Sequence, residues 1–296
     1  MRIEPTDADL EAWSRQVPIS GDLLFFDETS KLPKGIASSI LLSAEEVRAQ
    51  KLALWKLSDR SWYGYALNRS KCAMHLPIGT IESLDSETTR NLGRAQARLG
   101  VPSLIKSSLL PAPLRASLIK VGRFNWITSF AFRKLNRVSR LAVMKAWMSQ
   151  NEIHFYSSIP IKQLPDGPAA LLKAIGFEKV VNSYAKISGP NCMAAVASAV
   201  AGNPKTANQW LHWAPLKTFL KERGYKITSS KSPMPEDVLV FMRGSKAMHV
   251  AFFLGENLYF EKPGQDFYEP YRIERFDRWK LEWPKTTLSI WRRIRS

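Results

Sequence analysis

The chain has 296 residues and a mass of 33.6 kDa, enough for one large domain or two ordinary ones. Hydrophobic residues make up 45% and charged residues 23%, the balance of a soluble globular protein that buries a core without disulfide staples. Two cysteines, Cys72 and Cys192, exclude a disulfide framework, four histidines argue against a structural zinc site, and a net charge of +17 favours anionic partners: nucleic acid, acidic lipid or cell-wall polymer.

No run approaches the roughly 20 apolar residues of a membrane span. The start, Met1-Arg2-Ile3-Glu4-Pro5-Thr6-Asp7, lacks an apolar signal core, so no secretion address is visible.

Residues 1–160 are expected to form a basic, largely helical domain of unassigned fold. Ser43 to Leu57 reads as a helix with Ser43 as N-cap. Thr88 to Asn151 contains no acid and twelve basic residues, an anion-attracting block. Within it, Arg133 to Ser149 is predicted as an amphipathic helix with an apolar stripe of Leu135, Val138, Leu141 and Ala142. A solvated basic face and an anion-binding or membrane-surface patch both fit this block.

The pattern changes near residue 160. Short helices are expected at Ala169–Phe177 and Asn191–Val200, and a longer one at Thr206–Glu222 kinked at Pro215. Strand-like runs follow: 225–229, 238–242, 249–254, 258–261, 271–275 and 287–294. Helices followed by clustered strands predict an α+β unit with an antiparallel sheet over 161–296.

Cys192 follows Ser188-Gly189-Pro190-Asn191 at the start of the second of these helices. A thiol there feels the positive end of the helix dipole, and outward backbone N–H groups could hold an oxyanion. A buried structural cysteine is the ordinary alternative. His249 opens an apolar strand and Glu261 lies twelve residues on, past the turn at Gly255-Glu256-Asn257. Antiparallel pairing brings the two together, so His249 could take the thiol proton and Glu261 orient the imidazole.

Together these residues resemble the NlpC-type branch of papain-like cysteine peptidases over about 165–295. That family pairs a cysteine at a helix start with a Gly-Asp-led strand, a His-Val-Gly strand and a polar third residue. The counterparts are Asn191-Cys192, Pro235-Glu236-Asp237-Val238-Leu239-Val240-Phe241, His249-Val250-Ala251 and Glu261. The chain departs from the usual Asp-Cys-Ser-Gly in reading Asn191-Cys192-Met193-Ala194, and in having Glu as the third residue.

The resemblance implies a papain-like fold and a cysteine peptidase or amidase cleaving bacterial peptidoglycan peptides at the cell envelope, without metal or cofactor. It makes Cys192, His249 and Glu261 catalytic, and Tyr184 part of the oxyanion pocket. Asn191 joins Tyr184 in that candidate pocket, and Tyr268 and Tyr271 are expected to wall the cleft. Relatives of this fold also act on lipids as thioesterases or acyltransferases.

Residues 88–151 are expected to hold an anionic envelope polymer or lipid surface. Nucleic acid is disfavoured, since no zinc finger or aromatic RNA-binding signature is present. A non-catalytic anion-binding protein is the third alternative. A second strand of the Gly-Asp type, Gly21-Asp22-Leu23-Leu24-Phe25-Phe26, has no cysteine before it, and Cys72 and His75 stand too close in sequence to serve it.

Overall fold

The computed structural model describes residues 1–17, 21–27, 40–43, 66, 69–150 and 157–294. The chain divides into two compact units, Thr6–Ile153 and a second made of Met1–Pro5 with His154–Ser296. Both mix helices with antiparallel sheet, an α+β architecture.

The Thr6–Ile153 unit opens with α1 (Asp7–Ser14), whose capping box joins the Thr6 hydroxyl to the Asp9 N–H and the Asp9 carboxylate to the Thr6 N–H. Among the described residues helix outweighs strand, but the unit also carries sheet. Strands β1 (Asp22–Phe26), β2 (Ile40–Ser43) and β3 (Cys72–Leu76) form one sheet in the order β1-β3-β2.

Helix α2 (Ser86–Leu99) is capped by Asp85, which accepts the N–H groups of Glu87 and Thr88, and ends at Gly100 in the left-handed conformation. Strands β4 (Leu104–Lys106), β5 (Ile119–Val121) and β6 (Phe124–Trp126) form a second sheet in the order β4-β6-β5. Strands of three residues are too short to show the alternation by which a strand is recognised.

The helix expected over Arg133–Ser149 is two: α3 (Ser129–Lys134) and α4 (Arg137–Gln150). Asn136 breaks it, because its side chain accepts the Ser139 N–H and starts a new helix. The buried face is consequently Leu141, Met144, Trp147 and Met148, while Val138 is 73% exposed. Ser43 ends β2, and residues 44–57, the rest of that expected helix, lie outside the described residues.

The second unit contains α5 (Asp166–Ala174), α6 (Cys192–Ala201) and α7 (Trp213–Glu222). Pro215 lies in the first turn of α7, where a missing N–H costs nothing, so it makes no kink. Strands β7 (Tyr225–Ile227), β8 (Val238–Arg243), β9 (Lys246–Gly255), β10 (Leu258–Glu261), β11 (Arg272–Arg275) and β12 (Thr287–Arg293) form one sheet in the order β11-β10-β9-β8-β12-β7.

Strand alternation divides the residues of this sheet into two layers. Val238, Val240, Val250, Phe252 and Phe260 join α5, α6 and α7 in the main core. Leu239, Phe241, Ala251, Phe253 and Tyr259 pack with Phe276, Trp279, Trp283 and Leu288.

The candidate active site

Gly189 and Pro190 end the segment before α6, and Asn191 caps the helix. The Asn191 carboxamide oxygen accepts the Ala194 N–H at 3.0 Å, and its amide donates to the Leu211 carbonyl at 2.8 Å. That side chain therefore sets where the helix begins. Asp and Asn cap a helix about equally well, which accounts physically for an asparagine before the cysteine.

Cys192 is the first residue of α6 and is 8% exposed. His249 comes from β9 and Glu261 from β10, and both are fully buried. The expected pairing is present: His249 Nε2 lies 2.6 Å from Glu261 Oε2.

Cys192 lies close enough to the same imidazole to act on its charge. Nδ1 nevertheless has no partner of good hydrogen-bond geometry among the described residues. Since Nε2 faces Glu261, Nδ1 is the nitrogen left over. Catalytic hydrogen bonds often tighten only when substrate is bound.

Burial alone would push the His249 imidazole down. The charges of Cys192 and then Glu261 outweigh it and raise the group to about 10. Burial would likewise raise the Glu261 carboxyl, but Arg272 and then His249 hold it below the ordinary carboxylate range. The arrangement favours an imidazolium beside a carboxylate.

Two groups that sequence reasoning missed complete the site. Arg272 on β11 donates from Nε to Glu261 Oε1 at 2.7 Å, and its guanidinium also pairs with Glu274 and Glu282. The β10–β11 register places Glu261 directly opposite Arg272. Trp283 stacks on the His249 ring with centroids 4.3 Å apart and planes 7° apart, and Phe241 lies against the same ring at 5.6 Å. The imidazole is thus covered by aromatic surface. Arg272 left a weak signal in its spacing from Glu261 on paired strands; Trp283 left none.

The tyrosines serve other contacts. The Tyr184 hydroxyl donates to the Ile3 carbonyl at 2.8 Å, tying it to the N-terminal segment. Tyr271 is a buried core residue whose hydroxyl donates to the Ala207 carbonyl, because it packs against Phe260 beneath the sheet. Tyr268 is half-buried, and its hydroxyl donates to Asp266 in the loop between β10 and β11.

Cys72 and His75 lie on β3 three residues apart, so they take opposite faces of one sheet. Burial pushes the Cys72 thiol up and the His75 imidazole down. A cavity of about 600 Å³ lined by Pro168, Leu171, Met234, Phe253 and Asn257 contains none of the site residues. Among the described residues, no cluster of three or more His, Cys, Asp or Glu is placed to hold a metal ion. No protein-family model matches the chain, and no curated protein matches it.

Proposed function

We propose that the second unit is a cysteine amidohydrolase of NlpC-like, papain-type fold, cleaving peptide amides of the bacterial cell wall. The observation that carries this reading is the buried His249, held by Glu261 at 2.6 Å and close enough to Cys192, at the start of its helix, for the two to act on each other. The thiolate adds to the amide carbonyl carbon, and the imidazolium gives its proton to the departing amine. Water, deprotonated by the neutral imidazole, then hydrolyses the thioester.

Asn191 takes up the Ala194 N–H and leaves those of Cys192 and Met193 at the helix start for the developing oxyanion. The strand before the histidine also supports the reading. Glu236 has φ +72°, a left-handed position suited to the glycine that the family carries there. Asp237, next to it, accepts the Met234 N–H and pairs with Arg292, anchoring the start of β8. Action at the cell envelope follows from this substrate class.

Replacing Cys192 by Ala is expected to abolish muropeptide hydrolysis with the circular dichroism spectrum unchanged; retained hydrolysis would refute the assignment.

A lipid acyl substrate is the second reading, favoured by two half-exposed apolar residues beside the helix start. Ile187 and Trp210 are each 49% exposed, and Trp210 precedes the Leu211 carbonyl that Asn191 holds. Acyl release from vesicles without muropeptide cleavage would select it.

A further inference from the structure

Lys262 is fully buried, an expensive place for an ammonium. It follows Glu261 at the end of β10, so alternation turns it to the layer that contains Phe260, Tyr271 and Cys192. Its Nζ donates to the Gly264 carbonyl at 2.9 Å and the Asp266 carbonyl at 2.8 Å, and lies 5.9 Å from the centre of the Tyr271 ring. Among the described residues, no carboxylate lies within ion-pair distance of Nζ.

The charges that act on Lys262 are Glu269 and Asp266 from its own loop and Cys192 from α6. Burial pushes its ammonium down to about 8, and these three groups oppose that fall. The loop it braces is joined to the approach of Cys192, because the Gly189 N–H donates to the Gln265 carbonyl at 2.9 Å.

We propose that Lys262 is a positioning residue for Cys192: a second buried cation, besides His249, whose field favours the thiolate and whose hydrogen bonds hold the loop beside it. The proposal rests on the reading of Cys192 and His249 as a working pair. A lysine serving only as a strut could be replaced by any side chain that keeps the loop in place. A lysine serving through its charge could not.

The test is the pH profile of Cys192 alkylation by iodoacetamide in a Cys72→Ala background, using the full chain. Lys262→Met is expected to lower the rate about tenfold at pH 6 and by no more than about twofold at pH 9, since thiolate population limits only the acid side. Lys262→Arg, which keeps the charge, is expected to restore the acid-side rate.

Glu269→Gln removes a negative charge that offsets the field of Lys262 at Cys192 and, with the ammonium's value near 8, leaves Lys262 charged at pH 6, so it is expected to raise the pH 6 rate about threefold. A loosened loop would instead lower the rate at both pH values in both variants. Where Lys262→Met melts before the assay temperature, the sign of the Glu269→Gln change decides.

An unmoved ratio of rates at pH 6 and pH 9 in Lys262→Met, or a fall in Glu269→Gln, overturns the proposal. If His249→Ala leaves alkylation unchanged, the Cys–His pair itself is refuted, and this proposal with it. A His249 effect beside an unmoved Lys262 ratio refutes this proposal alone.

Discussion

A buried imidazolium survives only while its compensating charges are in place. His249 is held up to about 10 against its burial, first by Cys192 and then by Glu261. The sign of the linkage follows. With a folded value above the unfolded one of about 6.5, His249 contributes stability in full below pH 6.5, and that contribution is lost as pH rises toward 10.

Glu261 behaves oppositely, since its depressed value contributes stability above about pH 4.3 that is lost as pH falls. Urea melts of the wild type are therefore expected to lose stability between pH 6.5 and 10, and a His249→Phe variant to lose less over that window.

Replacing Glu261 by Ala removes the carboxylate between the buried His249 and Arg272, and should cost about 3–5 kcal/mol in the same melts. Glu261→Gln keeps a hydrogen-bond acceptor without the charge and should cost less. The Cys–His–Glu constellation was legible because each member sits at a position with a local signature: a helix start, a strand start and a hairpin partner. Lys262 and Arg272 were not legible, because a charged residue in a strand reads as solvent-facing until its partners are known.

Elements in this protein are often completed by one side chain from elsewhere. Gln96 of α2 is fully buried, accepts the Phe25 N–H at 2.8 Å and donates to the Phe25 carbonyl at 2.9 Å. It thus supplies β1 with the two hydrogen bonds that a neighbouring strand would make. Gln96→Leu removes both of these buried hydrogen bonds and is expected to cost about 2–3 kcal/mol by denaturant melt, whereas an exposed neighbour such as Arg94→Gln should cost under about 0.5 kcal/mol.

The six strands of the second unit were readable from their apolar runs, with ends shifted by a residue or a few. The split between α3 and α4 was missed because the residues around Asn136 continue a helical pattern. A single capping side chain then restarts the count and rotates the buried face.

For the whole molecule, the excess positive charge is shared about equally by the two units, but within Thr6–Ile153 it is concentrated in the acid-free stretch from Thr88 to Asn151. Arg90, Arg94 and Arg98 are exposed along α2 at four-residue intervals, so they share one face, and no carboxylate pairs with them among the described residues. Arg137 and Lys145 of α4, by contrast, pair with Glu11 and Asp7 of α1. If the α2 face meets an anionic lipid surface, replacing all three arginines by Gln should weaken binding to anionic vesicles by about 3 kcal/mol, or about a hundredfold. The binding should also fall steeply with added salt, and sedimentation with zwitterionic vesicles should show none of it.

The sequence located this charge without its context, because which cations are neutralised depends on helices that meet only in three dimensions. The division near residue 160 was visible as a change in pattern. The membership of Met1–Pro5 was not, since nothing local marks a five-residue segment as belonging to a unit that resumes at His154.

That membership bears on how the polypeptide matures. The Met1 ammonium donates to the Ser158 carbonyl at 2.6 Å, the Ser158 N–H donates back to the Met1 carbonyl at 2.8 Å, and Ile3 receives the Tyr184 hydroxyl. The basic unit is topologically an insertion within the other. On the ribosome, Met1–Pro5 find their partners at Ser158 and Tyr184 only after more than 150 further residues have been made, while the insert can fold in the meantime. The second unit would close last, so a nascent or truncated chain would carry the exposed arginines of α2 before Cys192, His249 and Glu261 were held in one fold.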